Sequence, residues 1–263
     1  MYNMNLSNIY ENIVKDADPR VKLWPLVDSP STITTIIGIY LISIFIGPKY
    51  MNNKPAYSLQ RFIQFYNIFQ ILANSIIIYM FLDAGWYENI FIYCVPITYS
   101  TDPNSMKIAL AMWYTMILKM IDLIETGIFV LRKKNNQISF LHLYHHVTTA
   151  LLSWLCIKFY AAGMTTFIPM LNCTVHVIMY GYYFLSSLGK EIQKLILPYK
   201  PIMTIIQMVQ FVILLMHLLQ TFLSDCKVPK LSSFIMIINL IINFLLFLNF
   251  YMKSYKNSKT KNK

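Results

Sequence analysis

Three histidines, His142, His145 and His146, stand in the otherwise apolar stretch QISFLHLYHHVTTA. On a helix the spacing i, i+3, i+4 puts all three on one side within about one turn. Clustered imidazoles can ligate a transition metal, attack an activated acyl group and then leave, or relay protons. Other polar residues recur in comparably apolar surroundings: Lys119, Asp122, Glu125 and Thr126 in KMIDLIETG, and Asn172, His176, Tyr180 and Tyr183 in NCTVHVIMYGYY. Thr204, Gln207 and Gln210 follow in TIIQMVQ, and Tyr66, Asn67 and Gln70 precede them in YNIFQ. Cys173 sits one turn from His176, a rival nucleophile by spacing, but no neighbour in sequence would activate it.

The elements that must position these groups follow from composition. Hydrophobic residues make up 57% of the 263 and charged residues 13%, proportions foreign to a soluble domain of this size. The apolar blocks recur along the chain, so the expected fold is an all-α polytopic membrane protein in one domain. Seven spans are expected near 32–47, 62–82, 107–131, 138–158, 164–185, 201–222 and 231–252, against the ~20 residues a bilayer requires, the first being the shortest and weakest. Residues 1–31 are polar and mixed in charge, unlike a cleaved signal peptide. They are expected to form an extracytosolic segment, and 253–263 a basic cytosolic tail.

Lysine and arginine concentrate in alternate connections: Lys49, Lys54 and Arg61; Arg132, Lys133 and Lys134; Lys190, Lys194 and Lys200; and the tail. The positive-inside bias then places the N-terminus outside the cytosol and the C-terminus inside. The net charge of +11 reads either as this bias or as attraction of a polyanion on the cytosolic face, and does not imply nucleic acid. Cys94 and Cys226 fall on the extracytosolic side, where a disulfide could form, and Asn5-Leu6-Ser7 is a glycosylation acceptor on that side.

With this topology the polar residues share a depth. His146, His176, Gln210 and Asp122 each lie about 12–13 Å from the cytosolic end of their span at 1.5 Å per residue. One internal site is the economical reading, because lipid cannot satisfy such groups and they can satisfy one another. For Tyr66, Asn67, Gln70, Thr126 and Thr204, plain interhelical hydrogen bonding is the simpler role. HxxHH is similar to one box of membrane di-iron desaturases and hydroxylases, yet five histidines in the whole chain, His217 included, are too few for the several boxes that site needs. A single zinc, a covalent acyl transfer and a histidine proton relay in a transporter remain as readings of the residues; the spans show no inverted repeat of the transporter kind.

The residues also resemble the ELO family of very-long-chain fatty acid elongases. QISFLHLYHH resembles QxxFLHxYHH, NCTVHVIMYGYY resembles NxxxHxxMYxYY, TIIQMVQ resembles TxxQxxQ, and KMIDLIET resembles KxxExxDT with the two carboxylates exchanged. The resemblance implies seven transmembrane helices, six forming a barrel around an acyl tunnel open to the cytosol, in the endoplasmic reticulum membrane. It implies condensation of a long-chain acyl-CoA with malonyl-CoA to give a 3-ketoacyl-CoA, with no cofactor beyond these substrates and no metal. His145 would be the nucleophile, with His142, His146 and His176 assisting proton transfer. Lys119, Asp122, Asn172, Tyr180, Gln207 and Gln210 would contact substrate, and Arg132, Lys133 and Lys134, with Lys190 and Lys194, are candidates for the CoA phosphates. It further favours a Cys94–Cys226 disulfide, a homodimer, and the reductases and dehydratase of the elongation cycle as partners. The terminal KTKNK looks like a dilysine retrieval signal.

Overall fold

The structure, a computed structural model, describes residues 17–85, 93–223 and 225–256; the Asn5 acceptor and the terminal lysines lie outside them. The described residues form helices and connections without strands. The helices are α1 (Pro30–Met51), α2 (Gln60–Asp83), α3 (Pro103–Asp122), α4 (Ile124–Leu131), α5 (Phe140–Phe159), α6 (Phe167–Ser187), α7 (Lys190–Ile196), α8 (Lys200–Leu219) and α9 (Lys230–Tyr251). Four stretches, Pro30–Met51, Gln60–Asp83, Lys190–Phe222 and Lys230–Lys256, are long and apolar enough to cross a membrane. α3, α5 and α6 have similar lengths, but they carry most of the polar residues picked out above.

The surface is apolar and much of the polar chemistry is inside. Ile39, Phe45, Phe65, Ile76 and Leu245 are exposed, while Gln70, Asn74, Lys119 and Asp122 are buried. That distribution suits a multi-pass membrane protein, where lipid covers the outer face and polar groups turn inward. α2 packs on α3 and α6, α6 on α8, α8 on α9, α9 on α5, and α5 on α3, while α1 lies on α4 and α5.

Local chemistry fixes the helix starts. Pro30 and Pro103 occupy first turns, where a missing N–H costs nothing. Ser29 accepts from the Ser31 amide. The Asp102 carboxylate accepts from the Asn104 and Ser105 amides, each at 3.0 Å. Hydrogen bonds with Ser100 and Ser105 hold the Asp102 carboxyl well below the usual carboxylate range. Ser139 caps α5 by accepting from the His142 amide at 3.2 Å, so the cap sets where the HxxHH face begins.

Two features depart from the sequence expectation. The span expected over 107–131 is broken into α3 and α4 at Leu123, where the Leu123 amide bonds Met120 O and the Thr126 amide bonds Leu123 O, both at 3.3 Å. These i→i+3 contacts tighten the turn within the KMIDLIET motif. The basic stretch after α6, expected as a plain connection, forms the short helix α7, introduced by Gly189 at φ 141°.

One end of the bundle is closed by the segment 17–29. Trp113 and Trp154 donate their indole N–H to Pro25 O and Leu26 O, each at 2.9 Å. Lys158 Nζ donates to Val27 O at 3.0 Å and Asp28 O at 2.7 Å. Arg20 holds Asp18 through Nη2 and Oδ2 at 2.6 Å, both side chains almost wholly buried, and donates to Ser100 O, Ser105 O and Ala161 O. Arg20→Met strands the Asp18 carboxylate without its cation. The expected loss is about 3 kcal/mol, a fall of on the order of 6–12 °C in the melting temperature of the detergent-solubilised protein; an unchanged midpoint contradicts the assignment of Arg20 as the anchor.

At the same end Cys94 and Cys226 are joined by a disulfide with a Cα–Cα distance of 5.6 Å. Gly163, at φ 60°, lets the turn before α6 press on this loop: a Cβ there would stand 2.5 Å from Pro96 O and 2.7 Å from Val95 O.

Candidate active site

α3 and α4 supply the charged centre. Lys119 Nζ donates to Asp122 Oδ2 at 3.0 Å and lies 3.3 Å from His176 Nδ1 on α6. Burying an ammonium so far from water costs several kcal/mol unless it is paired and hydrogen-bonded; Asp122 and His176 meet that need. Asp122 Oδ1 accepts from Gln70 Nε2 on α2 at 2.7 Å and from the Tyr180 hydroxyl at 3.4 Å. Tyr180 shares that single hydroxyl proton with Glu125 Oε1, the nearer acceptor at 2.5 Å, and Glu125 Oε2 faces His146 Nε2 at 3.5 Å. The exchanged order of Asp and Glu is thus accommodated: the shorter carboxylate meets Lys119 and Gln70, the longer one bridges Tyr180 and His146.

The HxxHH face joins this centre from α5. The His142 and His146 rings lie 4.1 Å apart and those of His145 and His146 6.0 Å. His142 Nε2 meets Thr126 Oγ1 at 2.8 Å, and Thr126 meets the Tyr40 hydroxyl from α1 at 2.8 Å. His145 Nδ1 lies 3.1 Å from Asn243 Oδ1 on α9, and its ring packs edge-on against Phe247 and Phe211, with centroids at 5.7 and 6.4 Å.

The structure therefore brings together Lys119, Asp122, His142, His145, His146, His176 and Tyr180. It does not bring in every residue singled out from the sequence. Gln207 Nε2 contacts Met179 Sδ at 2.6 Å, Gln210 is buried on the same helix, and Asn172 Oδ1 is buried with no hydrogen-bond partner. Arg132, Lys133 and Lys134 follow α4 at the end of the bundle away from the disulfide, with Lys133 Nζ on Asn52 O at 3.0 Å. Lys194 pairs with Glu191 on the exposed α7, where Lys190 also lies. His217 stands apart, bonding Met164 O at 3.1 Å, and Cys173 lies in the apolar core. Among the described residues no three His, Cys, Asp or Glu side chains are grouped to hold a metal ion.

Sequence reasoning missed or undervalued several partners. Gln70 reads from the sequence as simple interhelical glue, yet it is a direct ligand of Asp122. Tyr40, Asn239 and Asn243 were not singled out. The pair of amides one turn apart in the apolar run NLIINFLL was a usable signal, because polar side chains inside a span seek specific partners. Tyr40 carried none, since a tyrosine in an apolar span is ordinarily packing.

Comparison with known proteins accords with these motifs. The family model described as GNS1/SUR4 family, ELO, matches residues 25–263. The chain is 38% identical to very long chain fatty acid elongase 4 of Macaca mulatta over 92% of this chain and 77% of the relative. It is 38% identical to very long chain fatty acid elongase 1 of Mus musculus over 96% and 91%, and 39% identical to elongase 7 of Rattus norvegicus over 94% and 88%. A match that runs through every helix bearing the histidine layer, and relatives that align over most of both chains, mean that the chain belongs to the ELO family.

Proposed function

We propose that this protein is a fatty acid elongase that condenses a long-chain acyl-CoA with malonyl-CoA, giving a 3-ketoacyl-CoA, CoA and carbon dioxide. The observation that carries the reading is the convergence of His145, His146 and His176 on one buried centre built around the Lys119–Asp122 pair. In the first half-reaction His145 attacks the thioester carbonyl, the C–S bond breaks, and CoA leaves with a proton supplied within the site. The acyl-imidazole keeps the activation of the thioester. In the second, malonyl-CoA loses its carboxylate as carbon dioxide, the resulting enolate takes the acyl group, and the imidazole is expelled. His176, held by Lys119, and His146, facing Glu125, are placed to move protons and stabilise the enolate. His142 supports the layer through Thr126.

The neighbour order α2–α6–α8–α9–α5–α3 returns to α2, which supports a six-helix barrel around the acyl tunnel with α1 outside it. Segment 17–29 and the disulfide loops support closure at the lumenal end. We place the protein in the endoplasmic reticulum membrane, with the N-terminus lumenal and the C-terminus cytosolic, in keeping with the charge bias. Asn172, Gln207 and Gln210 are assigned to the malonyl or thioester groups, and Arg132, Lys133 and Lys134 to the CoA phosphates.

The test is intact-mass analysis after incubation with a saturated long-chain acyl-CoA alone. The wild type is expected to gain one acyl group and release CoA, and His145→Ala to gain none. An adduct that persists in His145→Ala removes His145 as the nucleophile, and no incorporation of labelled malonyl-CoA with any acyl-CoA removes the elongase reading.

A further inference from the structure

We infer that Asn243 is a positioning residue that fixes the tautomer of His145, leaving the lone pair on Nε2, while Lys119 fixes the opposite tautomer at His176. The inference rests on the acyl-transfer reading and adds to it which nitrogen attacks.

The argument starts from an atom whose role is unambiguous. The backbone carbonyl of Asn239 can only accept, and the side-chain atom of Asn243 that lies 2.8 Å from it must be the amide nitrogen. The second amide proton is directed at Asn239 Oδ1 at 3.2 Å, which also accepts from the Tyr144 hydroxyl at 3.1 Å. The remaining terminal atom of Asn243 is therefore its oxygen, 3.1 Å from His145 Nδ1. An amide oxygen accepts, so Nδ1 donates and carries the proton of the neutral ring. Nε2 is left with the lone pair that a nucleophile needs.

The same reasoning gives a different result at the other histidines. Lys119, paired with Asp122, has protons and no lone pair. His176 Nδ1, 3.3 Å from that ammonium, must accept, and its proton sits on Nε2, available to a departing thiolate or a carbonyl oxygen. His146 turns Nε2 toward the Glu125 carboxylate, which calls for a proton there. His142 meets the Thr126 hydroxyl, which serves either tautomer. Asn243 thus singles out His145 on a face where helical spacing treats the three histidines alike.

The full-length protein in nanodiscs, with ring-15N histidine, gives the direct test. Two-bond couplings of the His145 ring, assigned by their loss in His145→Gln, are expected to show Nδ1 protonated; an Nε2-protonated ring overturns the inference. Asn243→Leu removes the acceptor at similar volume and is expected to slow formation of the acyl adduct by roughly a hundredfold, with the half-saturating acyl-CoA concentration little changed. Asn243→Asp, which keeps an oxygen toward Nδ1, is expected to recover most of the rate. A folded Asn243→Leu that acylates at the wild-type rate overturns the inference. If Asn243→Leu does not fold, the couplings of the wild type decide. If the wild type forms no adduct, it is the acyl-histidine reading that fails, and the couplings still decide the tautomer.

Discussion

Lys119→Met is expected to lower turnover by about 10²–10³-fold, the scale of losing one preorganised charge at a reaction centre, and stability by about 3–5 kcal/mol. Methionine matches lysine closely in volume, so the change removes a charge more than it opens a cavity. Three partners lose by it. Asp122, 4% exposed, keeps hydrogen bonds from Gln70 and Tyr180 but no cation. Glu125, sharing Tyr180 with it, is left beside an uncompensated carboxylate. His176 loses the donor at Nδ1, and with it the constraint that puts a proton on Nε2. Lys119→Arg keeps the charge, but a planar guanidinium needs more room than a compact ammonium, so only partial recovery is expected. Turnover measured with labelled malonyl-CoA, together with the thermal midpoint, checks this. Near-normal turnover and an unchanged midpoint in Lys119→Met contradict the charged centre described above.

Opening the disulfide is expected to have the largest effect on stability alone. Cys94 and Cys226 are 132 residues apart in sequence, and their bond ties the connection before α3 to the segment before α9. Closing a free-chain loop of that length is worth about 5 kcal/mol in the chain-entropy account, or on the order of 10–20 °C in melting temperature. The bond also holds the loop against which Gly163 is pressed. Cys94→Ser combined with Cys226→Ser is expected to show the shift with or without reductant, while the wild type shows it only after reduction. A wild-type midpoint insensitive to complete reduction, verified by thiol labelling, excludes a stabilising role for this bond.

Apolar runs made the long helices readable, because each must bury its backbone polar groups within itself wherever lipid or a protein interior surrounds it. The expected spans 138–158 and 231–252 meet α5, Phe140–Phe159, and α9, Lys230–Tyr251, within two residues at each end. The span 107–131 was readable only as one helix. Its break at Leu123 lies among residues that all suit a helix, and no proline marks it. α7 was hidden for the opposite reason: seven residues are too few for a periodic signal to stand out.

The candidate site divides along the same line. Residue types and helical period determined by themselves that His142, His145 and His146 share a face, that Lys119, Asp122 and His176 lie deep in the chain's apolar blocks, and that these groups need partners. Which partners they take was decided by tertiary structure alone. Gln70 meets Asp122 across 52 residues of sequence, Tyr40 meets Thr126 across 86, and Asn243 meets His145 across 98. A helical period relates positions a few residues apart on one element and carries no information across such separations. The choice among three equivalent imidazoles belongs to those long-range hydrogen bonds, because a ring nitrogen is made donor or acceptor by the atom that faces it.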